Sequence, residues 1–488
     1  MLTPAEELGL SGMSLTGRVR TAFASLGPSD LRDLCARIRE ECQSRHVVYM
    51  RDGNPDPIRL LPVPITMLPE QSGYLHYVSL TIHNALKRLP DLYMQDFAIR
   101  QTLKLTENEE KWLWDAWGPS HQESNPIFGR LDAVMDFSSP MWKNSLLFVE
   151  PNMSGIGGLH LVPTSEQILR DVVFPVLTAH DSRLQLGIGP DIRELLIQEM
   201  LDHLEVIGRA GRTVCFVEPR FATSGIDEQE DVARHFYQRH GLKVLHADPR
   251  ELMIHKGEVC FEGTPIDIVY RDYTVLDMLD LEKQGHDVQP MRQLFRENRV
   301  VSSIAAELDQ KACWEVLTDR NMSQKYFSAE ERQVFRRHIL WTRTIADRTT
   351  GLPDGHDGDL LDYIRRERET LVIKPNRSYG GEGVLLGLAT SEEEWDAAIE
   401  SAVNSDRAWV VQQMASIPVR EFPVIDDDGQ AHFEPFYLVM GFAPTRHGVA
   451  IMGRASQKQV VNVARRGGLC AMAIGRPPAQ LVGPEGLG

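Results

Sequence analysis

Apolar residues recur near the helical period along the first quarter of the chain. The stretch DLRDLCARIREEC, opened by Pro28-Ser29-Asp30, and the stretch YLHYVSLTIHNALKRLPDLYM both repeat this way, so residues 1 to about 125 are expected to be helical. WLWDAW, Trp112 to Trp117, is most simply aromatic core. The pattern then changes. In FGRLDAVMDF, Leu131, Ala133, Met135 and Phe137 alternate with Arg130, Asp132, Val134 and Asp136. That is the period of a half-buried strand, and it sets Arg130 and Asp132 on one face. Ser145 to Val149 form a second, apolar strand, from whose end Glu150 and Asn152 emerge before the turn SGIGG.

From about 166 to 275 helices and strands alternate. IRELLIQEMLDHLEVIGRAG leads to TVCFVE, EDVARHFYQRHG leads to LKVLHA, and IDIVYRDY follows. Such alternation predicts a parallel sheet, with Arg271, Asp272 and Tyr273 at the carboxyl end of its last strand, where ligands gather. VVSSIAAELDQKACWEVLTD reads as a loop and helix with Asp309 near the N-cap and Lys311 in the first turn. Gly351 to Asp362 is a turn-rich connector, and Ser391 with Glu394 forms a capping box. Later strands are AWVVQQM and VREFPV, then the hairpin FYLVMGFAP–GVAIMGRAS, and VVNVARRGGL closes the sheet before a loose tail.

One stretch carries chemistry on its face. Leu371 to Gly387, LVIKPNRSYGGEGVLLG, sets a loop with Lys374, Arg377, Ser378, Gly380, Gly381 and Gly383 between two apolar runs. Glycines let backbone N–H groups approach phosphate oxygens, and a lysine at the strand end adds a point charge. The same hairpin can equally be structural. No Gly-Lys-Ser/Thr opens a helix after it, so it is not a Walker loop. Arg130, Asp132, Glu150 and Asn152 form a hard-oxygen set suited to Mg²⁺ held with phosphates, or else an ion pair and a turn cap.

Composition narrows the class. The 488 residues suffice for two or three lobes, and the net charge of −17 argues against a nucleic-acid partner. No apolar run approaches bilayer length and no secretory signal is expected, so neither is a membrane partner. Six cysteines without CxxC or zinc spacing read as reduced thiols of a cytoplasmic protein.

These residues together resemble the ATP-grasp ligases, and more closely their circularly permuted branch, which includes glutathione synthetase. Arg130-Leu-Asp132 and Glu150-Pro-Asn152 precede Lys311, the Lys374 loop and the hinge-like VVQQM, which is the permuted order; the match runs from about Pro62 to Pro477. The resemblance implies an α/β chain with a helical N-terminal region (1–125), metal-binding strands (126–165) and an inserted parallel α/β substrate domain (166–275). Nucleotide-binding lobes (276–477) and a tail (478–488) complete it. It implies ATP and two Mg²⁺ ions as cofactors, with Asp132, Glu150 and Asn152 holding the metal. Lys311 and Lys374 would contact phosphates under a lid of Gly380, Gly381 and Gly383. Gln412, Gln413 and Met414 would flank the adenine, with backbone groups at the hinge making the polar contacts. Arg130 and Arg454 would serve catalysis, and Ser154, Arg271 and Tyr273 would bind the carboxylate substrate. The branch has a metal-binding glutamate where this chain has Ser378, so either Asp132 does more of the metal work, the favoured reading, or Glu382 reaches in. It also has an ATP-binding lysine where Ser456 stands, with Lys458 nearby.

The implied reaction is ATP-dependent joining of a carboxylate to an amine through an acyl phosphate, with release of ADP and phosphate. The absence of a Ser/His/Asp or Cys/His set agrees with phosphoryl chemistry, which needs positioning and charge more than a protein nucleophile. A phosphotransferase on the same fold, or a nucleotide binder without turnover, are the other readings. The partners are small molecules, and a homodimer is left open.

Overall fold

The computed structural model describes residues 4–220, 224–378, 383–426, 428–458 and 467–476. It is a mixed α/β structure with many helices and several sheets. The N-terminal helices form as their spacing dictates. Pro28–Ser44 buries Leu31, Leu34, Ile38 and Cys42 along one stripe, and Glu107–Ala116 opens on a capping box from Thr106 to Glu109.

Helices do not account for the whole N-terminal region. Val48–Arg51 and Leu60–Met67 are strands, and the second is buried along its full length. LLPVPITM carries two prolines, which argue against a strand. They are tolerated because this strand ends the hydrogen-bonded order of its sheet, and because the pairing shifts register beside them, between Cys470 and Met472. The sheet runs Leu60–Met67, Gly468–Arg476, Gly448–Ser456, Ala431–Thr445, Arg130–Val134, Leu147–Asn152, with Val419–Ile425 and Gln185–Gly187 paired at its side. Strands far apart in the chain are thus knitted into one surface.

The parallel sheet has four strands, in the order Val300–Val301, Ile268–Arg271, Val214–Val217, Val244–Ala247. Its first strand in that order comes from beyond residue 275. Two stretches differ from the expected pattern. The connector from Gly351 includes a hairpin, Thr349–Gly351 with Asp357–Asp359. The second apolar run of the glycine stretch shrinks to Leu385–Leu386 followed by a 3₁₀ turn.

A four-stranded antiparallel sheet carries that stretch, in the order Thr342–Thr344, Trp409–Gln413, Leu371–Pro375, Leu385–Leu386. It sits on a core of its own, built from Trp341, Ile345, Leu360, Leu371, Ile373, Trp395, Ile399 and Val411 among others. The helix Glu392–Val403 supplies Trp395, whose indole N–H donates to the Ile364 carbonyl at 3.1 Å. Ser391 caps this helix as its spacing to Glu394 predicts. Ser391→Ala is expected to cost about 1 kcal/mol, read as an earlier loss of helix signal in denaturant.

All six cysteines are free and five are buried. No helix is long and apolar enough to cross a membrane among the described residues.

Candidate functional site

The Arg130 and Leu147 strands pair antiparallel with Arg130 opposite Asn152 and Asp132 opposite Glu150, so all four project from one face. Arg130 Nε lies 2.9 Å from Asp132 Oδ1. Arg454 reaches the other oxygen at 2.7 Å from the Gly448–Ser456 strand. Burial pushes the Asp132 carboxyl up, but the charges and hydrogen bonds of the two arginines outweigh it and hold it below its ordinary value. Asp132, expected as a metal ligand, therefore has both oxygens taken up by guanidinium groups. Gly441 makes this possible. It stands opposite Asp132 across the next strand pair, where a Cβ would come within 2.4 Å of Arg130 Cδ.

Glu150 faces two lysines. Lys311 Nζ lies 3.3 Å from Glu150 Oε2 and donates to the Ser378 carbonyl at 3.0 Å. Lys374 Nζ donates to Gln412 Oε1 at 2.7 Å. Burial lowers the Lys374 ammonium to about 8; Glu150 opposes this and Lys311 adds to it. The three groups thus sense one another across a narrow cleft. Glu150, Asn152, Asp309, Lys311, Arg377 and Ser378 help to line it, enclosing about 260 Å³ including open solvent. Asn152 itself donates weakly to the Arg130 carbonyl, at 3.4 Å.

Residues that sequence reasoning missed hold this cleft in shape. Asn376, next but one to Lys374, is buried. Its Oδ1 accepts from the Ala312 amide at 2.9 Å, its Nδ2 donates to Gln310 at 2.8 Å, and its carbonyl accepts from the Lys311 amide at 3.2 Å. Asp309 ends the 3₁₀ turn Ile304–Leu308 rather than capping a helix, and accepts from the Met153 amide at 2.6 Å. Burial raises its carboxyl to about 7, with Met153, Lys311 and Arg377 opposing and Glu150 adding. Lys311 precedes the helix Cys313–Thr318 instead of lying in its first turn, because the Asn376 bonds define the turn there. Arg377 is fixed to Glu109 of the helical region and donates to the Glu307 carbonyl at 3.2 Å.

Other expected site residues are placed differently. Gln412 is buried, and its amide donates to the Val149 carbonyl at 2.9 Å and to Thr342 Oγ1 at 2.8 Å, so its side chain supports Lys374. The Gln413 amide donates to Trp341 at 3.0 Å and that of Met414 to Thr370 at 2.8 Å, which leaves neither N–H open at the hinge. Arg271 is fully buried, 2.7 Å from Glu307. It donates to the carbonyls of Ser302, Tyr273 and Ser303 at 2.7, 2.6 and 3.0 Å, so it acts as an interior tie. Tyr273 donates to Asp248 at 2.7 Å, and Ser154 lies in the glycine turn after the Leu147 strand. Gly383 closes the glycine loop, while Gly380, Gly381, Glu382 and the tail from 478 lie outside the described residues. No group of three or more His, Cys, Asp or Glu able to hold a metal occurs among the described residues.

No protein-family model matches the sequence, and no curated protein does. Among solved structures the chain is similar to a glutathione synthetase-like effector from Globodera pallida in apo form. The TM-score is 0.59 at 11% identity, over 92% of this chain and 98% of that one. At that identity the likeness is one of fold.

Proposed function

We propose that the protein is an ATP-dependent carboxylate–amine ligase on a circularly permuted ATP-grasp scaffold. It would form an amide through an acyl phosphate and release ADP and phosphate. The observation that carries this reading is the meeting of Glu150, Lys311 and Lys374 at one cleft, with Arg130 and Arg454 gathered on Asp132 beside it. In this layout residues 1–125 pack on the core, 126–165 carry the metal strands, 166–275 form the substrate lobe and 276–477 the nucleotide lobes.

Magnesium, when bound with ATP, neutralises phosphate charge. Mg²⁺ shared with substrate phosphates needs one or two protein carboxylates, and Glu150 with Asn152 at one strand end fits that need. Asp132 fits a different task. With an arginine on each oxygen, it would hold two guanidiniums where charge develops on the transferring phosphoryl group. Lys311 and Lys374 would offset the charge of the remaining phosphates. The substrate carboxylate would attack the γ-phosphorus as the bond to ADP breaks. The amine would then attack the acyl carbon, phosphate would leave, and the amine proton would pass to solvent.

The testing experiment is ADP release over pools of amino acids and small carboxylates, with and without an amine, for the wild type and Glu150→Gln. Release requiring both partners, with a condensed product mass, is expected. Glu150→Gln should raise the Mg²⁺ needed for half-maximal rate at least as much as loss of an outer partner does, ~10–100-fold. Unchanged turnover in this variant would sink the site. A phosphorylated product without an amine would move the reading to a kinase. A nucleotide binder without turnover is the second reading, favoured by Ser378, which stands where the resembled branch has a metal-binding glutamate.

A further inference from the structure

The large sheet has a hollow where two strands share one edge. Met440 to Phe442 of the Ala431–Thr445 strand pair with the Arg130 strand, and Ala431 to Tyr437 pair with Val419–Ile425. The first partner ends at Val134 and the second takes over, so the edge is covered in two pieces with a seam between them. Phe137 walls this seam just past the first piece. Arg420 and Phe422, which alternation sets on one face, wall it from the second. Val63 and Ile65 of the Leu60–Met67 edge strand, with Thr16 and Arg20 of the helix Pro4–Ala24, close the other side. The hollow encloses about 380 Å³ including open solvent, and it shares no lining residue with the lysine cleft.

Its apolar walls, Val63, Ile65, Phe137 and Phe422, are all buried. Such walls with a few placed polar groups are the form of a small-molecule site. The polar groups here keep donors unused. Arg420 Nη2 donates to Asp136 at 2.8 Å and to the Ser138 hydroxyl, while Nε and Nη1 meet no acceptor among the described residues. Asp136 is itself shared, accepting from the Ser138 amide at 3.1 Å and its hydroxyl at 2.8 Å. Arg20 meets Glu421 at 3.3 Å, but both side chains are more than half exposed, so that pair holds weakly. Burial pulls the Arg420 guanidinium below its ordinary value; Asp136 opposes this and Arg20 adds to it. The hydroxyls of Thr16 and Thr66 meet at 2.8 Å, and one donates to the other. The second O–H of that pair has no acceptor among the described residues, although Thr66 is only 2% exposed. Buried donors are rarely left unpaired without a reason.

We propose that this hollow binds a small dissolved carboxylic acid with an apolar body. Its carboxylate accepts from Arg420, with Arg20 and the threonine pair beside it, and its body lies on Val63, Ile65, Phe137 and Phe422. The site does not depend on the ligase reading. Asp136 lies beyond the far end of the strand that Arg130 begins, so the acid is a second ligand and not the substrate of the lysine cleft.

Calorimetric titration of the full chain with hexanoate, hexylamine and acetate tests it. The wild type should bind hexanoate ~10-fold or more above acetate, the effect of burying about two methylenes, and should not bind hexylamine. Arg420→Gln removes the charge and keeps an amide to donate to Asp136. It should bind hexanoate ~10–100-fold more weakly, with ATP affinity unchanged. Arg20→Gln, at an exposed position, should weaken hexanoate by a smaller factor, and it decides alone if the first variant does not fold. Glu150→Gln should bind hexanoate as the wild type does. No hexanoate binding by the wild type, equal binding of hexylamine or acetate, or hexanoate binding untouched in both arginine variants would each overturn the assignment. Hexanoate binding lost in Glu150→Gln and kept in Arg420→Gln would place the acid in the lysine cleft and overturn it as well.

Discussion

Lys374→Ala is expected to lower kcat/KM for ATP by about 10²–10³-fold, the range seen when one preorganised charge or donor at a transition state is deleted. The ammonium lies near the end of a strand, after buried Ile373 and before half-buried Pro375, and it donates to Gln412. Taking it away removes a desolvated charge rather than a packed one, so the variant should melt no earlier than the wild type. The wild type adds a pH signature. Burial has drawn the Lys374 ammonium down to about 8. The charged form is therefore present below that value and lost above it, so affinity for ATP should fall as pH rises through about 8. That limb should be absent in Lys374→Ala. ADP release at the wild-type rate in the variant would remove Lys374 from the site.

The second large effect concerns stability. Glu307→Ala should cost ~3–5 kcal/mol, because it strands Arg271 as a buried charge without its counter-ion. Both side chains are shut away from water, at 2.7 Å. The contact is more one of charge than of hydrogen bonding. Glu307 Oε1 lacks a well-directed donor, while Arg271 Nη1 donates to the Tyr273 carbonyl. The same glutamate accepts from the Val275 amide at 3.0 Å, so the alanine variant leaves that group unpaired too. Its carbonyl also receives Arg377, and the chain runs from it to Lys311 within four residues. Thermal melting should show a lower transition, and KM for ATP should rise with it. A melting curve equal to the wild type's would show that the pair contributes nothing.

How far these features could be read from the chain varies with the distance of their partners. Arg130, Asp132, Glu150 and Asn152 were legible as a group because period-2 alternation fixes each pair on a face, and strand pairing does the rest. The capping box at Ser391 and the parallel sheet of residues 166–275 were legible for the same local reasons. Leu60–Met67 was not, since its two prolines conceal a strand that depends on a neighbour from the far end of the sequence. Asn376, Asp309 and Gly441 carry no local signature; each matters through a contact with a segment dozens to hundreds of residues away. Arg271 was correctly placed at a strand end, yet its surroundings are set by Glu307, a residue that sequence spacing does not connect to it. Gln412 was placed on the right strand, and its neighbour Lys374, not its periodicity, decides what its side chain does.

The pairing of Leu60–Met67 with Gly468–Arg476 also constrains how the molecule is made. The edge strand emerges early from the ribosome, while its parallel neighbour follows only after some 400 further residues, roughly 20–80 s later at ~5–20 residues per second. During that interval LLPVPITM is an apolar segment without its sheet. Its prolines deny a stray chain some of the amide hydrogens needed to extend a ladder. The residues that argue against a strand on paper would thus protect it from aggregation until its late partner arrives.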